Sequence, residues 1–151
     1  MRLFLCSVQI LHARAKPGFT CKQAFVGDLQ SDLASEWIRS VSSLEDGDAE
    51  KLMAKLNLAC GKITAHGRNG RKRHEEGFKI CESVRGEAQR NVINFIDSPS
   101  FIYHFDQTCL MFLGMVSGSL GYKKKAAEYQ KELRERNEKA GYRDPGDFLQ
   151  V

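Results

Sequence analysis

Apolar residues recur along most of this chain at steps of three and four, the period of an amphipathic helix. From Asp28 to Leu44 they fall at Leu29, Leu33, Trp37, Val41 and Leu44, while Asp32, Glu36 and Arg39 take the other faces. Glu45-Asp46-Gly47-Asp48 breaks the pattern, and its carboxylates suit the positive end of a following helix. That helix reads to about Ile63, with Leu52, Leu56, Ala59 and Ile63 as its stripe. Gly67 to Gly70 interrupts again, because paired glycines favour a loop.

A third helix is expected from about Glu75 to Asp97, with Phe78, Cys81, Ala88, Val92, Phe95 and Ile96 inward and Gly86 as a weak point. Ser98-Pro99 reads as a restart, since Ser caps helices and Pro favours the first helical position. The helix that follows carries Phe101, Ile102, Phe105, Cys109, Phe112, Leu113, Val116 and Leu120, apolar on most sides, which predicts the central element of the core. Gly114 and Gly118, four apart, would let a neighbouring helix approach. Past Gly121 a highly charged helix is expected over Lys123 to Lys139. Its stripe is thin (Ala126, Tyr129, Leu133), and Glu132–Arg136 and Glu135–Lys139 have supportive spacing. Asp144-Pro145-Gly146 forms a turn that would bring Phe148 and Leu149 back to the body.

The fold class this predicts is all-α: a single-domain bundle of four to five helices over 28–151, preceded by an irregular basic arm or targeting segment over 1–27. The length of 151 residues suits one core, and 42% hydrophobic with 28% charged residues is a globular balance. No apolar run is long enough to span a bilayer, so no transmembrane segment is expected.

Charge adds detail. Residues 1–27 hold Arg2, Arg14, Lys16 and Lys22 and no acid, so the formal excess of +4 lies there. Three readings fit: an ordinary arm, an acid-free mitochondrial presequence, or a secretory signal with Leu3 to Leu11 as its apolar part. An intracellular location, cytoplasmic or mitochondrial, is favoured over a secreted one. The five cysteines (Cys6, Cys21, Cys60, Cys81, Cys109) match no zinc or redox spacing and read as reduced, small apolar residues. On the secreted reading Cys21, Cys60, Cys81 and Cys109 would pair instead, giving a disulfide-stabilised helical binding protein.

The conspicuous candidate site is the acid-free segment from Lys62 to His74. Lys62, His66, Arg68, Arg71, Lys72 and Arg73 lie on or beside a glycine-containing loop, where guanidinium and ammonium groups suit phosphate oxygens. No aromatic residue is interleaved, so contact would go to the backbone of RNA or DNA rather than to bases. Asp106, beside His104 on the most apolar helix, must be paired or sit at the rim. No P-loop, dinucleotide fingerprint, nucleophile elbow or metal-binding helix is present, so no catalytic residue, metal ligand or cofactor is assigned.

Arg68-Asn69 followed by His74 resembles the Arg-Asn-x4-His pattern of HEPN-family ribonucleases, which are also small helical bundles. The resemblance covers three residues and implies, as an alternative, RNA cleavage with Arg68 and His74 acting at the 2′-hydroxyl and phosphate. Gly70, the polar residues inside the motif and the lack of a tyrosine after His74 depart from that family. The leading expectation is a non-enzymatic structural or adaptor subunit that binds other protein subunits and, through the basic segment, nucleic-acid backbone.

Overall fold

A computed structural model describes residues 20–65 and 69–139, with side chains from residue 29 onward. Within these residues the protein is an all-α bundle without strands: α1 Thr20–Ser40, α2 Ala49–Ile63, α3 Gly70–Arg90, a 3-10 turn Val92–Phe95, α4 Pro99–Leu120 and α5 Lys123–Lys139. Of the expected irregular arm over 1–27, residues 20–27 are helical as the start of α1, while residues 1–19 and the turn at 144–146 lie outside the described residues and Cys21 outside the described side chains. No described helix is long and apolar enough to cross a membrane.

Consecutive helices pack antiparallel, joined by short connections whose chemistry sets their ends. Asp48 caps α2 by accepting a hydrogen bond from Glu50 N at 2.9 Å. Gly47 turns the chain into that cap at φ +84°, donating its N–H to Glu87 of α3 at 3.2 Å. Pro99 starts α4 as expected, although the Ser98 side chain makes no capping bond. Gly121 closes α4 in the left-handed region, φ +81°.

Helix α4 occupies the centre. Phe105, Cys109, Phe112, Leu113 and Val116 are almost fully buried against Leu52, Leu56 and Ala59 of α2 and Phe78, Cys81 and Val84 of α3. Cys60, Cys81 and Cys109 are buried free thiols, and burial pushes the Cys60 thiol well above its ordinary range. They act as small apolar residues.

Two expected stripes shift. In α1 the inward line runs through Ala34, Trp37 and Val41, which leaves Leu29 (46%) and Leu33 (55%) exposed. The expected third helix begins at Gly70 and ends at Arg90, where Asn91 turns its side-chain amide onto Glu87 O at 2.8 Å. The tighter 3-10 turn that follows breaks the helical period. Phe95 therefore stays buried while Val92, Ile93 and Ile96 face outward, the last two about 70% exposed.

The thin stripe of α5 is supplemented by a buried ion cluster. Asp106 of α4 accepts from Arg85 of α3 at 2.8 Å and from Arg136 of α5, and Arg85 also pairs with Glu132 of α5. Burial alone would lower the Arg85 pKa, but its bonds to Asp106 and Glu132 outweigh that and hold it above its ordinary value. The expected Glu132–Arg136 pair yields to these tertiary partners. Nearby, Gln107 donates to the buried Asn137 at 2.8 Å. Of the glycine pair, only Gly114 receives a neighbour, with Gln130 Cγ and Tyr129 Cβ of α5 within 4 Å of an added methyl.

This packing sets the outcome of three substitutions. An alanine Cβ at Gly77 would lie 2.7 Å from Ile63 Cγ1 and 3.0 Å from Ala59 O, so Gly77→Ala should lower the urea midpoint by the equivalent of about 2 to 3 kcal/mol. Gly118→Ala, with open space at that Cβ, should instead stabilise by roughly 0.5 to 1 kcal/mol. Asp106→Ala should cost about 3 to 5 kcal/mol in the same assay, because it removes the buried carboxylate that the partly buried Arg85 and Arg136 share.

Candidate nucleic-acid interface

The basic segment lies less in a loop than the sequence suggests. Because α3 begins at Gly70, Arg71, Lys72 and Arg73 sit in its first turn, with Asn69 before them offering no side-chain cap. Cations at a helix N-terminus oppose the local dipole, and this first turn contains no acid to offset them. His66 and Arg68 lie outside the described residues.

The remaining residues differ in how far they are engaged. Lys62, in the last turn of α2, pairs with Glu76 at 2.7 Å. The hydrogen bond and charge of Lys62, aided by Lys72 and Arg73, hold the Glu76 carboxyl below its ordinary range. Arg71 donates to Leu120 O at 3.2 Å and lies 3.4 Å from Glu75, yet its side chain stays mostly exposed. Arg73 is half-buried and engaged. Lys72 is exposed, and among the described residues it forms no hydrogen bond or ion pair. His74 places Nε2 2.9 Å from Ala65 O, which anchors the ring to the end of α2.

The bond from Arg71 to Leu120 O has a consequence invisible in the local sequence. It fastens the start of α3 to the last carbonyls of α4, one residue pair before α5 begins at Lys123. Phe78 of α3 then meets Tyr122 edge-on, with ring centroids 5.5 Å apart. Lys125 lies 4.8 Å over the Phe78 ring and 3.2 Å from Glu82. Tyr129 donates to the same Glu82 carboxylate at 2.6 Å; burial first, and then this bond, raises its pKa.

The N-termini of α3 and α5 thus share one end of the bundle, and neither first turn contains an acid. Lys123 and Lys124 are exposed and, like Lys72, form no ion pair among the described residues. Arg71, Lys72, Lys123 and Lys124 form a basic pole, backed by the positive ends of two helix dipoles. Lys123 and Lys124 had no place in the sequence-based site, although a signal exists: no acid occurs between Asp106 and Glu128. Among the described residues no group of His, Cys, Asp and Glu is arranged to hold a metal ion.

No protein-family profile, curated protein or solved structure matches the chain.

The Lys62–Glu76 pair yields a pH prediction. A carboxyl whose pKa is depressed by folding stabilises the fold above its unfolded value, and that contribution fades as pH falls through the folded value. Side-chain NMR titration should find Glu76 below the ordinary glutamate range, and Lys62→Met should move it back up.

Proposed function

We propose that this protein is a non-enzymatic adaptor subunit whose basic pole contacts the phosphate backbone of RNA or DNA. The observation that carries the reading is the convergence of the α3 and α5 N-termini, where Lys72, Lys123 and Lys124 stand exposed without an ion-pair partner among the described residues. Several cations crowded against two positive dipole ends repel one another. An incoming anion relieves that repulsion and gains hydrogen-bond donors.

Lysines on flexible stems act as point charges and carry no base preference, so the contact is backbone-directed. Engagement of Lys62 and Arg71 by Glu76 and Glu75 moves the emphasis from the loop to the α3–α5 end. On the ribonuclease alternative His74 would act on RNA, and its Nε2 lies here 2.9 Å from Ala65 O. The protein-partner half of the reading draws on the exposed Val92, Ile93 and Ile96 at the opposite end of α3, since clustered exposed apolar side chains mark interaction surfaces.

Fluorescence-anisotropy titration of a short duplex at several salt concentrations tests the reading. About four phosphate contacts predict a log–log salt slope of roughly −3 to −4. Changing Lys72, Lys123 and Lys124 together to Ala should weaken binding by roughly tenfold or more at low salt and flatten that slope, with the urea midpoint unchanged. Equal binding by both proteins would refute it.

A further inference from the structure

The end of the bundle opposite the basic pole is exposed and apolar. From Gln89 to Ser100 every residue except Asn91 and Phe95 is exposed, and Val92, Ile93 and Ile96 are each more than half so. The fold holds this turn outward. Phe95 packs inward on Phe101, with ring centroids 5.3 Å apart, and Ser98 N donates to Phe95 O at 2.9 Å. Single exposed aliphatic side chains are ordinary, but several together on a fixed turn mark a contact surface.

A half-open cavity of about 370 Å³ adjoins the turn, between the end of α3, the start of α4 and the end of α5. Ala88, Val92, Pro99 and Ile102 give it apolar walls, and the Asp106 and Arg136 of its lining are already bonded to each other. Val92 and Pro99 bracket Ile93 and Ile96 in the chain, so the protruding turn leaves from the cavity wall and returns to it.

Opposite charges flank the same turn. Arg90 ends α3 and Asp97 follows Ile96; both are exposed, and neither side chain forms a hydrogen bond or ion pair among the described residues.

We propose that a second copy of this chain covers this end, in a two-fold pair that lays each copy's turn across the mouth of the other's cavity. A two-fold axis runs the two turns antiparallel, so Arg90 of one protomer meets Asp97 of its partner. A second copy fits better than a foreign protein because one chain supplies both halves of the contact. It carries an apolar protrusion beside an apolar hollow, and an unpaired cation before an unpaired anion. Self-complementarity of that kind is what an isologous interface requires.

The inference rests on the protein-partner half of the proposed function, whose partner it names, and does not depend on nucleic-acid binding. Because α3 runs from the basic pole to this turn, pairing sets the two poles at the far ends of the dimer. The exposed patch covers on the order of a few hundred Å². Even with the cavity mouth it falls at the small end for specific interfaces, about 1,200 Å² in total, so a dissociation constant on the order of 10 µM is expected.

Sedimentation velocity of the full chain without nucleic acid, from about 1 to 300 µM, tests the proposal. The weight-average mass should rise from 17.1 kDa towards twice that value and no further. Ile93→Glu, at a position 71% exposed, should weaken association at least about tenfold while leaving the urea midpoint of the dilute protein unchanged. Arg90→Glu and Asp97→Arg should each weaken it roughly fivefold, and the double variant should recover most of that loss, since the swap restores the pair. A mass of 17.1 kDa at every concentration would overturn the proposal, as would association untouched by Ile93→Glu. Growth beyond a dimer, or a double variant no better than its single parents, would overturn it as well. Failure here is distinct from failure of the basic pole, because Ile93→Glu leaves Lys72, Lys123 and Lys124 in place and duplex binding would persist.

Discussion

The antiparallel packing of α3, α4 and α5 is the constraint on which the rest depends. Helix α4 is apolar on most sides, so it can be buried only if a helix covers it on each flank. Short connections make both flanking helices run opposite to it. Their N-termini must then meet at the C-terminal end of α4. Placing an acid-free first turn on each is enough to concentrate positive charge there, without any specialised loop.

A second constraint keeps that end in register. Helix α5 has too little apolar surface to dock by burial alone, since among its described side chains only Ala126 and Asn137 are buried. Its position is set by polar groups at both ends. Arg136 and Glu132 reach the Arg85–Asp106 cluster, while Tyr129 and Lys125 reach Glu82. Buried ion pairs add little net stability because desolvation offsets attraction, but they are intolerant of misplacement. The cluster therefore acts mainly to fix where α5 lies, and through it where Lys123 and Lys124 stand relative to Arg71 and Lys72.

Most of the helical architecture was legible in the sequence, and the partner of Asp106 was foreseeable as a need though not as an identity. Periodicity located α2, α4 and α5 closely, because their stripes are long and their ends carry Asp48, Pro99 and Gly121. It failed where local hydrogen bonding outranks period. Asn91 closes α3 onto Glu87, and the 3-10 turn rotates Val92 and Ile96 to the surface. The start of α3 was misjudged because Gly67 and Gly70 read as one loop, while the helix takes Gly70 as its first residue. The candidate site was half visible. Lys62 to His74 stands out as an acid-free segment, but its union with Lys123 and Lys124 depends on Arg71 reaching Leu120, a contact spanning 49 positions. No pattern in one sequence encodes such a contact. The cavity beside Tyr103 was invisible for the same reason, its walls coming from three helices.

The central claim is that two separate stretches of chain act as one anion-binding surface. Amide chemical-shift mapping of the isotopically labelled protein with a short unlabelled duplex at low salt tests it most directly. The account predicts perturbations in residues 70–73 and 122–125 that saturate together, with one dissociation constant, and vanish together as salt is raised. Perturbations confined to one stretch, or scattered over the surface without either, would contradict it.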